Sequence, residues 1–322
     1  MRQLYTVMLR IRLFEEGLAD LLISDESIKC PVHLYTGQEA VAAGVCAHLS
    51  DDDYVFSTHR SHGHYIAKGG DINTLAAEIY GREAGCCRGR GGSMHVASVG
   101  KGLPGSSAIV GGTIPIAVGS AMAFRMKRNS SVSVVFFGDG AANEGVFYEA
   151  LNFAVLKCLP VVFICENNLY SSHMPISECL SEIEIYKVAG SFGIPSIRID
   201  GNSAIDVYKT AGEAIDRARS GKGPAFIEYM TYRWRGHVGP NYDVDKSLRS
   251  QQELDSWMAR CPIRALEGLM IEQEAITAAD KELLEASVMR EVAEAFAFGQ
   301  GASSPKQSSL LDDIFKGKSD DL

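Results

Sequence analysis

The sequence predicts an α/β protein built on a parallel sheet flanked by helices. Two apolar runs, residues 132–137 (VSVVFF) and 161–166 (VVFICE), bracket a stretch, 143–157, whose apolar residues recur at helical spacing. That order is strand, turn, helix, strand, turn: one βαβ unit. Each run ends on chemistry: Gly138-Asp139-Gly140 after the first and Asn167-Asn168 after the second. Parallel pairing sets Asp139 beside the Asn pair at the carboxyl edge of the sheet, where open α/β sheets bind ligands.

The rest of the chain fits one domain over residues 1–322, with no repeat and no interdomain linker. It opens on a helical part to about residue 49. The first 22 residues (MRQLYTVMLRIRLFEEGLADLL) read as an amphipathic helix. They carry Glu15, Glu16 and Asp20 and lack a small-residue cleavage site, so they read neither as a signal peptide nor as a transit peptide. Further apolar strands are expected near residues 194–199 and 225–230, then a helical part over about 251–298. The segment 299–322, rich in Ser, Lys and Asp, reads as a loosely held tail. Residues 85–105 hold seven glycines in 21 positions, with Arg88, Arg90 and His95 among them. Such a stretch is either a mobile loop or a backbone packed tightly against something.

Composition sets bounds. A hydrophobic share of 46% suffices for a large core, and a net charge of −9 with a pI near 5.4 argues against nucleic acid as a partner. No basic stretch suggests an anionic membrane surface, and no apolar run is long enough to span a bilayer. The expected location is the cytoplasm. Eight cysteines in 322 residues do not form a disulfide framework, and no C-x-x-C pair offers a zinc site. Cys86 and Cys87 are adjacent, and all eight read as reduced thiols.

The chemistry of the turn pair can be stated from the residues. Asp139 brings an anionic oxygen and an Asn brings an amide oxygen, the hard donors that Mg²⁺ or Ca²⁺ prefers; Mg²⁺ completes its shell with phosphate oxygens and water. Gly138 and Gly140 allow a sharp turn and close approach to a bulky anion. Read alone, the tripeptide is equally a tight βα turn with an Asp cap. No G-x-G-x-x-G follows the strand. The one G-K-[ST], Gly317-Lys318-Ser319, lacks both the upstream glycine and the strand of a P-loop. Histidines gather at His33, at His59-Arg60-Ser61-His62-Gly63-His64, and at His237. Within the run no Cys or carboxylate completes a metal set, and Arg60 reads as a fixed cation for phosphate oxygens.

GDG followed by NN, with Asp139 and Asn168 29 positions apart, resembles the thiamin-diphosphate fingerprint. GDGAANEG and ICENNLY resemble the α subunits of 2-oxo acid dehydrogenase E1 components, the pyruvate, branched-chain and acetoin dehydrogenase group. HLYTGQEA (33–40), STHRSHGH (57–64), GRGGSMH (89–95), AIVGGTIP (108–115), DGNS (200–203), GKGPAFIE (221–228) and TYRWRGH (231–237) look like the same family in the same order. Together they span most of the chain.

The resemblance implies a thiamin-diphosphate-binding fold and a set of roles. Asp139, Asn168 and the backbone carbonyl of Tyr170 would ligate Mg²⁺. Gly140 and Ala141 would contact the diphosphate through backbone groups, as would the side chains of His59 and Arg60. Ala108 and Val110 would meet the aminopyrimidine through their backbone. His33 aligns with an active-site histidine, and His237 with one near the diphosphate and the substrate entrance. His59 falls where many members carry Tyr. The glutamate that activates the cofactor comes, in this family, from a partner β subunit, so an α₂β₂ heterotetramer is expected. A lipoyl-bearing E2 is a further expected partner, and the substrate would be a small 2-oxo acid or acetoin.

One departure concerns residues 238–243 (VGPNYD), where many members carry Ser and an acidic residue after the Gly-His. Val238 cannot be phosphorylated, so the kinase switch of some members is expected to be absent. Three functions remain open from the sequence. One is an E1-type α subunit serving oxidative acyl transfer. Another is a thiamin-diphosphate carboligase or acyl transferase outside a lipoyl complex. The last is an inert scaffold, against which Asp139, Asn168, Arg60 and His237 all count.

Overall fold

In the computed structural model, residues 1–244, 248–309 and 311–312 are described. Among the described residues eight strands run β1 Tyr54–Ser57, β2 Gly105–Ser106, β3 Ser133–Gly138, β4 Val161–Asn167, β5 Tyr170–Ser171, β6 Met174–Pro175, β7 Ser196–Asp200 and β8 Ala225–Met230. Six of them form one sheet, in the order β2-β1-β3-β4-β8-β7, with every pair parallel. The small β5-β6 hairpin is antiparallel. The expected parallel α/β architecture is therefore the observed one.

The helices are α1 Arg2–Ser24, α2 Glu39–Cys46, α3 His62–Ala67, α4 Ile72–Ile79, α5 Thr113–Lys127, α6 Gly145–Leu156, α7 Ile176–Cys179, α8 Ile185–Ser191, α9 Ala204–Arg219, α10 Gln251–Ala259, α11 Pro262–Glu272 and α12 Ala278–Gly301. Local sequence sets several starts. Ser203, in the DGNS stretch, caps α9 by accepting from the Asp206 amide. Ser250 caps α10, Pro262 opens α11, and Thr277 with Asp280 forms a reciprocal capping box on α12.

Alternation along the central strands divides the core. Val134, Phe136, Val162, Ile164 and Ile227 face a layer that includes α1, α2, α4, α9, α11 and α12. Val135, Phe137, Phe163, Cys165 and Phe226 face α5, α6 and α8. Both faces are buried, which is why these strands read as unbroken apolar runs. The amphipathic first helix packs Leu4, Met8, Ile11, Phe14 and Leu18 into the first layer.

The Gly-rich segment is packed tightly. Its backbone wraps the carboxylate of Glu78, a buried residue of α4, and the amides of Cys87, Gly89, Gly91 and Gly92 all donate to it at 2.7, 2.9, 2.7 and 3.1 Å. A Cβ on Gly91 would lie 1.9 Å from the His95 carbonyl oxygen, and Gly89 sits at φ +75°. Part of the expected loose tail also docks here. Residues 299–301 complete α12, the Ser303 carbonyl accepts from the Glu83 amide at 2.9 Å, and the Ser304 hydroxyl accepts from Arg82. Gly317-Lys318-Ser319 lies outside the described residues. Among the described residues no helix is long and apolar enough to cross a membrane.

Candidate functional site

Strands β3 and β4 pair in register from Ser133 with Val161 to Gly138 with Glu166. Their carboxyl ends therefore deliver Asp139 and Asn168 to the same edge. Asp139 opens a 3₁₀ turn, Asp139–Asn143. It is 1% exposed, and its Oδ2 has no hydrogen-bond partner among the described residues. Burial pushes its pKa up to about 6, against its own backbone amide and the charge of Arg233, which favour the carboxylate. A buried carboxylate oxygen without a donor is suited to a cation.

The two asparagines point to different tasks. Asn167 donates its amide to Glu228 at 2.6 Å, inside the sheet layer. Asn168 donates to Gln38 Oε1 at 3.2 Å. That bond leaves Asn168 Oδ1 with only a long contact, 3.4 Å, from the Tyr170 amide. Asp139 and Asn168 thus offer one anionic and one amide oxygen, a donor set that fits Mg²⁺. Tyr170 sits on β5, its hydroxyl donating to Glu253 at 2.7 Å. Gly140 leaves room for close approach of β5: a Cβ there would lie 2.5 Å from Ser171 Oγ and 3.0 Å from its Cβ.

These groups open onto a cavity with about 880 Å³ of empty space, its mouth included. Every residue nominated from the sequence lines it: His33, His59, Arg60, Ala108, Val110, Asp139, Gly140, Ala141, Asn168, Tyr170 and His237. Met94, Ile109 and Val110 supply apolar wall. The Ser93 hydroxyl, beside Met94, meets His62 Nε2 at 2.9 Å, and His62 Nδ1 lies 3.1 Å from Glu15. The Gly-rich loop is thereby tied to α1 as well as to Glu78.

The structure settles which histidines converge. His33, His59 and His237, from three separate segments, stack edge to face with ring centroids 4.6, 5.0 and 5.5 Å apart. Burial lowers their pKa values to about 4, about 2 and about 3, and the charge of Arg60 pushes in the same direction. All three rings are neutral near pH 7. His62 and His64 turn away. His64 pairs with Ser57 at 2.7 Å and Glu166 at 3.3 Å, while its ring stacks on Phe136. Arg60 donates to the backbone carbonyls of Leu34 and His237, stapling two of the histidine segments together.

The segment after His237 folds back on itself. The His237 amide donates to Asp243 Oδ2 at 2.8 Å, and the Gly236 amide donates to the Asn241 carbonyl. The Gly239 amide reaches the Val32 carbonyl at 2.8 Å, next to His33. The departure in the VGPNYD stretch thus forms a tight turn held by its own Asp243.

Sequence reasoning missed three contributors. The Gln38 Nε2, buried without a partner among the described residues, sits beside Asn168. Arg233 is 2% exposed, and its Nε and Nη1 have no hydrogen-bond partner among the described residues, although Asp243 lies 4.0 Å from Nη1. Glu166 lines the cavity and accepts from the Tyr35 hydroxyl. Gln38 and Arg233 lie inside the HLYTGQEA and TYRWRGH stretches. Only the fold shows which of those side chains turn inward.

Comparison with known proteins places the chain in a family. The family model for the dehydrogenase E1 component matches residues 6–308. The chain is 41% identical over 313 residues to the α subunit of acetoin:2,6-dichlorophenolindophenol oxidoreductase of Bacillus subtilis, covering 97% of this chain and 92% of that one. It is 38% identical over 319 residues to the pyruvate dehydrogenase E1 component α subunit of Porphyra purpurea, covering 97% and 92%. A rice chloroplastic pyruvate dehydrogenase E1 α-3 subunit is 40% identical over 322 residues, covering 97% and 75%. With nearly its whole length matched, the chain belongs to the dehydrogenase E1 component family.

Proposed function

We propose that this chain is the α subunit of a thiamin-diphosphate- and Mg²⁺-dependent E1-type oxidoreductase. It acts on a 2-oxo acid such as pyruvate, or on acetoin, and passes the acyl group to a lipoyl acceptor. It works with an E1 β subunit as an α₂β₂ heterotetramer. The observation that carries this reading is the unpartnered Oδ2 of Asp139 beside Asn168, at the floor of a cavity ringed by neutral histidines.

Asp139 and Asn168 would hold Mg²⁺ through side-chain oxygens, with the Tyr170 carbonyl as a third ligand. The Gly140 and Ala141 backbone would meet the diphosphate, and Ala108 and Val110 would meet the pyrimidine. The bound cofactor supplies a nucleophilic carbon and an electron sink for breaking the bond beside the substrate carbonyl. His59 and Arg60 belong to the phosphate end. His33 and His237 are uncharged at neutral pH, so each can accept a proton or donate its single N–H without first losing one.

The test is dye reduction by the chain co-expressed with its β subunit. Thiamin diphosphate, Mg²⁺ and a panel of 2-oxo acids plus acetoin are supplied, with a redox dye as acceptor. Cofactor-dependent reduction with one donor supports the reading and names the substrate. A complex that binds the cofactor yet reduces no dye with any donor turns the reading toward carboligation outside a lipoyl complex. In the same assay His237→Ala lowers kcat about 10²- to 10⁴-fold, the usual range for a lost acid-base group, with a much smaller change in cofactor affinity. Full activity of that variant removes His237 from the chemistry.

A further inference from the structure

The three histidines can do something the proposed reaction does not require. Their ring nitrogens all lie within 4.8 Å of one another. His33 is 7% exposed, and its Nδ1 has no hydrogen-bond partner among the described residues. A buried imidazole nitrogen left unpaired carries a desolvation penalty that a metal ion would relieve. Each ring comes from a different segment. Arg60 fixes the two flanking backbones through the Leu34 and His237 carbonyls, so the cluster is held together rather than formed by chance exposure.

We propose that His33, His59 and His237 form a second cation site, for a divalent transition metal such as Zn²⁺, separate from the oxygen site at Asp139 and Asn168. Zn²⁺ binds imidazole nitrogen at about 2.0–2.1 Å, which sets nitrogen pairs in a tetrahedral site about 3.4 Å apart. The ring nitrogens lie within 4.8 Å of one another, so the widest pair would have to close by up to about 1.4 Å to reach that spacing. Three nitrogen donors leave the fourth position open toward the cavity, the pattern of an exchangeable site rather than a closed structural one. The exposed ring of His173 lies 5.6 Å from that of His237 by centroid.

Charge decides which ions the site accepts. Arg60 and Arg233 act on His33, His59 and His237, and both oppose any divalent cation. A hard ion bound mainly by electrostatics, such as Mg²⁺, gains little from neutral nitrogen and loses to that repulsion. Ions that form strong directional bonds to imidazole overcome it. The two cation sites therefore sort metals by donor type: oxygen for Mg²⁺, nitrogen for the zinc class. The same histidines line the cavity proposed to hold the cofactor, so zinc and cofactor exclude each other. That last consequence rests on the proposed function, whereas the metal site does not.

Co²⁺ is the probe, because its visible absorption reports a nitrogen-ligated, low-coordinate site. The full-length chain, stripped of metal, is titrated with Co²⁺ and then with Zn²⁺. One Co²⁺ per chain is expected, with intense visible bands that Zn²⁺ abolishes and excess Mg²⁺ does not. His59→Ala and the ring-preserving His59→Phe both weaken Co²⁺ at least about tenfold, since even loss of an outer-shell partner costs a site 10- to 100-fold. Asp139→Asn leaves Co²⁺ affinity unchanged. The proposal is overturned if Co²⁺ gives no such bands, if both His59 variants bind it as wild type does, or if Asp139→Asn abolishes it. Cofactor binding, measured separately with Mg²⁺, distinguishes failure of this site from failure of the proposed function. If the cofactor binds and Co²⁺ does not, only the zinc site falls.

Discussion

Asp139→Asn is expected to abolish Mg²⁺-dependent cofactor binding and, in the same protein, to raise the stability of the metal-free chain at neutral pH. The two effects have one cause. Asp139 is buried with Oδ2 unpartnered, and its pKa stands at about 6 against an ordinary 3.8. A folded-state pKa raised above the unfolded value means that the native state binds the proton more tightly. Stability therefore falls as pH rises from about 4 through about 6, then levels off. Two pKa units correspond to roughly 3 kcal/mol of destabilisation carried by the charged form at pH 7. Asn keeps the shape and removes the charge, so the variant should unfold at higher denaturant concentration than wild type at pH 7 and with little difference near pH 4. Cofactor affinity should drop by more than about 100-fold, since loss of a mere outer-shell partner already costs up to that much. Saturating Mg²⁺ and cofactor should reverse the stability ranking, because only wild type gains from binding. A variant that binds the cofactor as wild type does would remove Asp139 from the metal site. A variant no more stable at pH 7 would show that the carboxylate is already satisfied by water.

Asp139 and Asn168 were legible in the sequence because each follows an apolar strand buried on both faces, and parallel pairing fixes where strand ends lie. Strand β8 matched its expected span, 225–230, for the same reason. The other edge of the sheet was not legible. β1 has four residues after an acidic run, and β2 has two, so neither shows periodicity. β7 begins two residues later than expected, at Ser196, directly after Pro195, which has no N–H to give a ladder. Within the histidine run, residue type could not tell His59, which faces the cavity, from His62 and His64, which pair with buried carboxylates. The convergence of His33, His59 and His237 depends on three backbone segments stapled by Arg60, a fact of topology rather than spacing. Gln38 and Arg233 were hidden differently. Each lies in a stretch that was singled out, but its role comes from N–H groups left unpaired after folding.

Glycines permit mobility, yet in the Gly-rich loop they let a backbone close around one carboxylate. Glu78→Gln is the change that tests this. The native carboxylate accepts four amides, two on each oxygen. A glutamine keeps the size but offers one acceptor oxygen, and its NH₂ faces amides that can only donate. Two half-buried N–H groups lose their partner, each at about 1–3 kcal/mol, and the charge assistance of the remaining bonds is lost as well. The expected destabilisation is about 3–5 kcal/mol by chemical denaturation, with new protease sensitivity in residues 85–95. Because Met94 lines the cavity and the Ser93 hydroxyl meets His62, loosening the loop should also weaken cofactor binding without touching a ligand. Glu78→Ala should behave the same way, since it removes the acceptors altogether. If Glu78→Gln unfolds within about 0.5 kcal/mol of wild type, the range of an ordinary surface change, and resists protease equally, the loop does not depend on its carboxylate. The glycines would then answer only to local crowding and positive φ, as at Gly91 and Gly89.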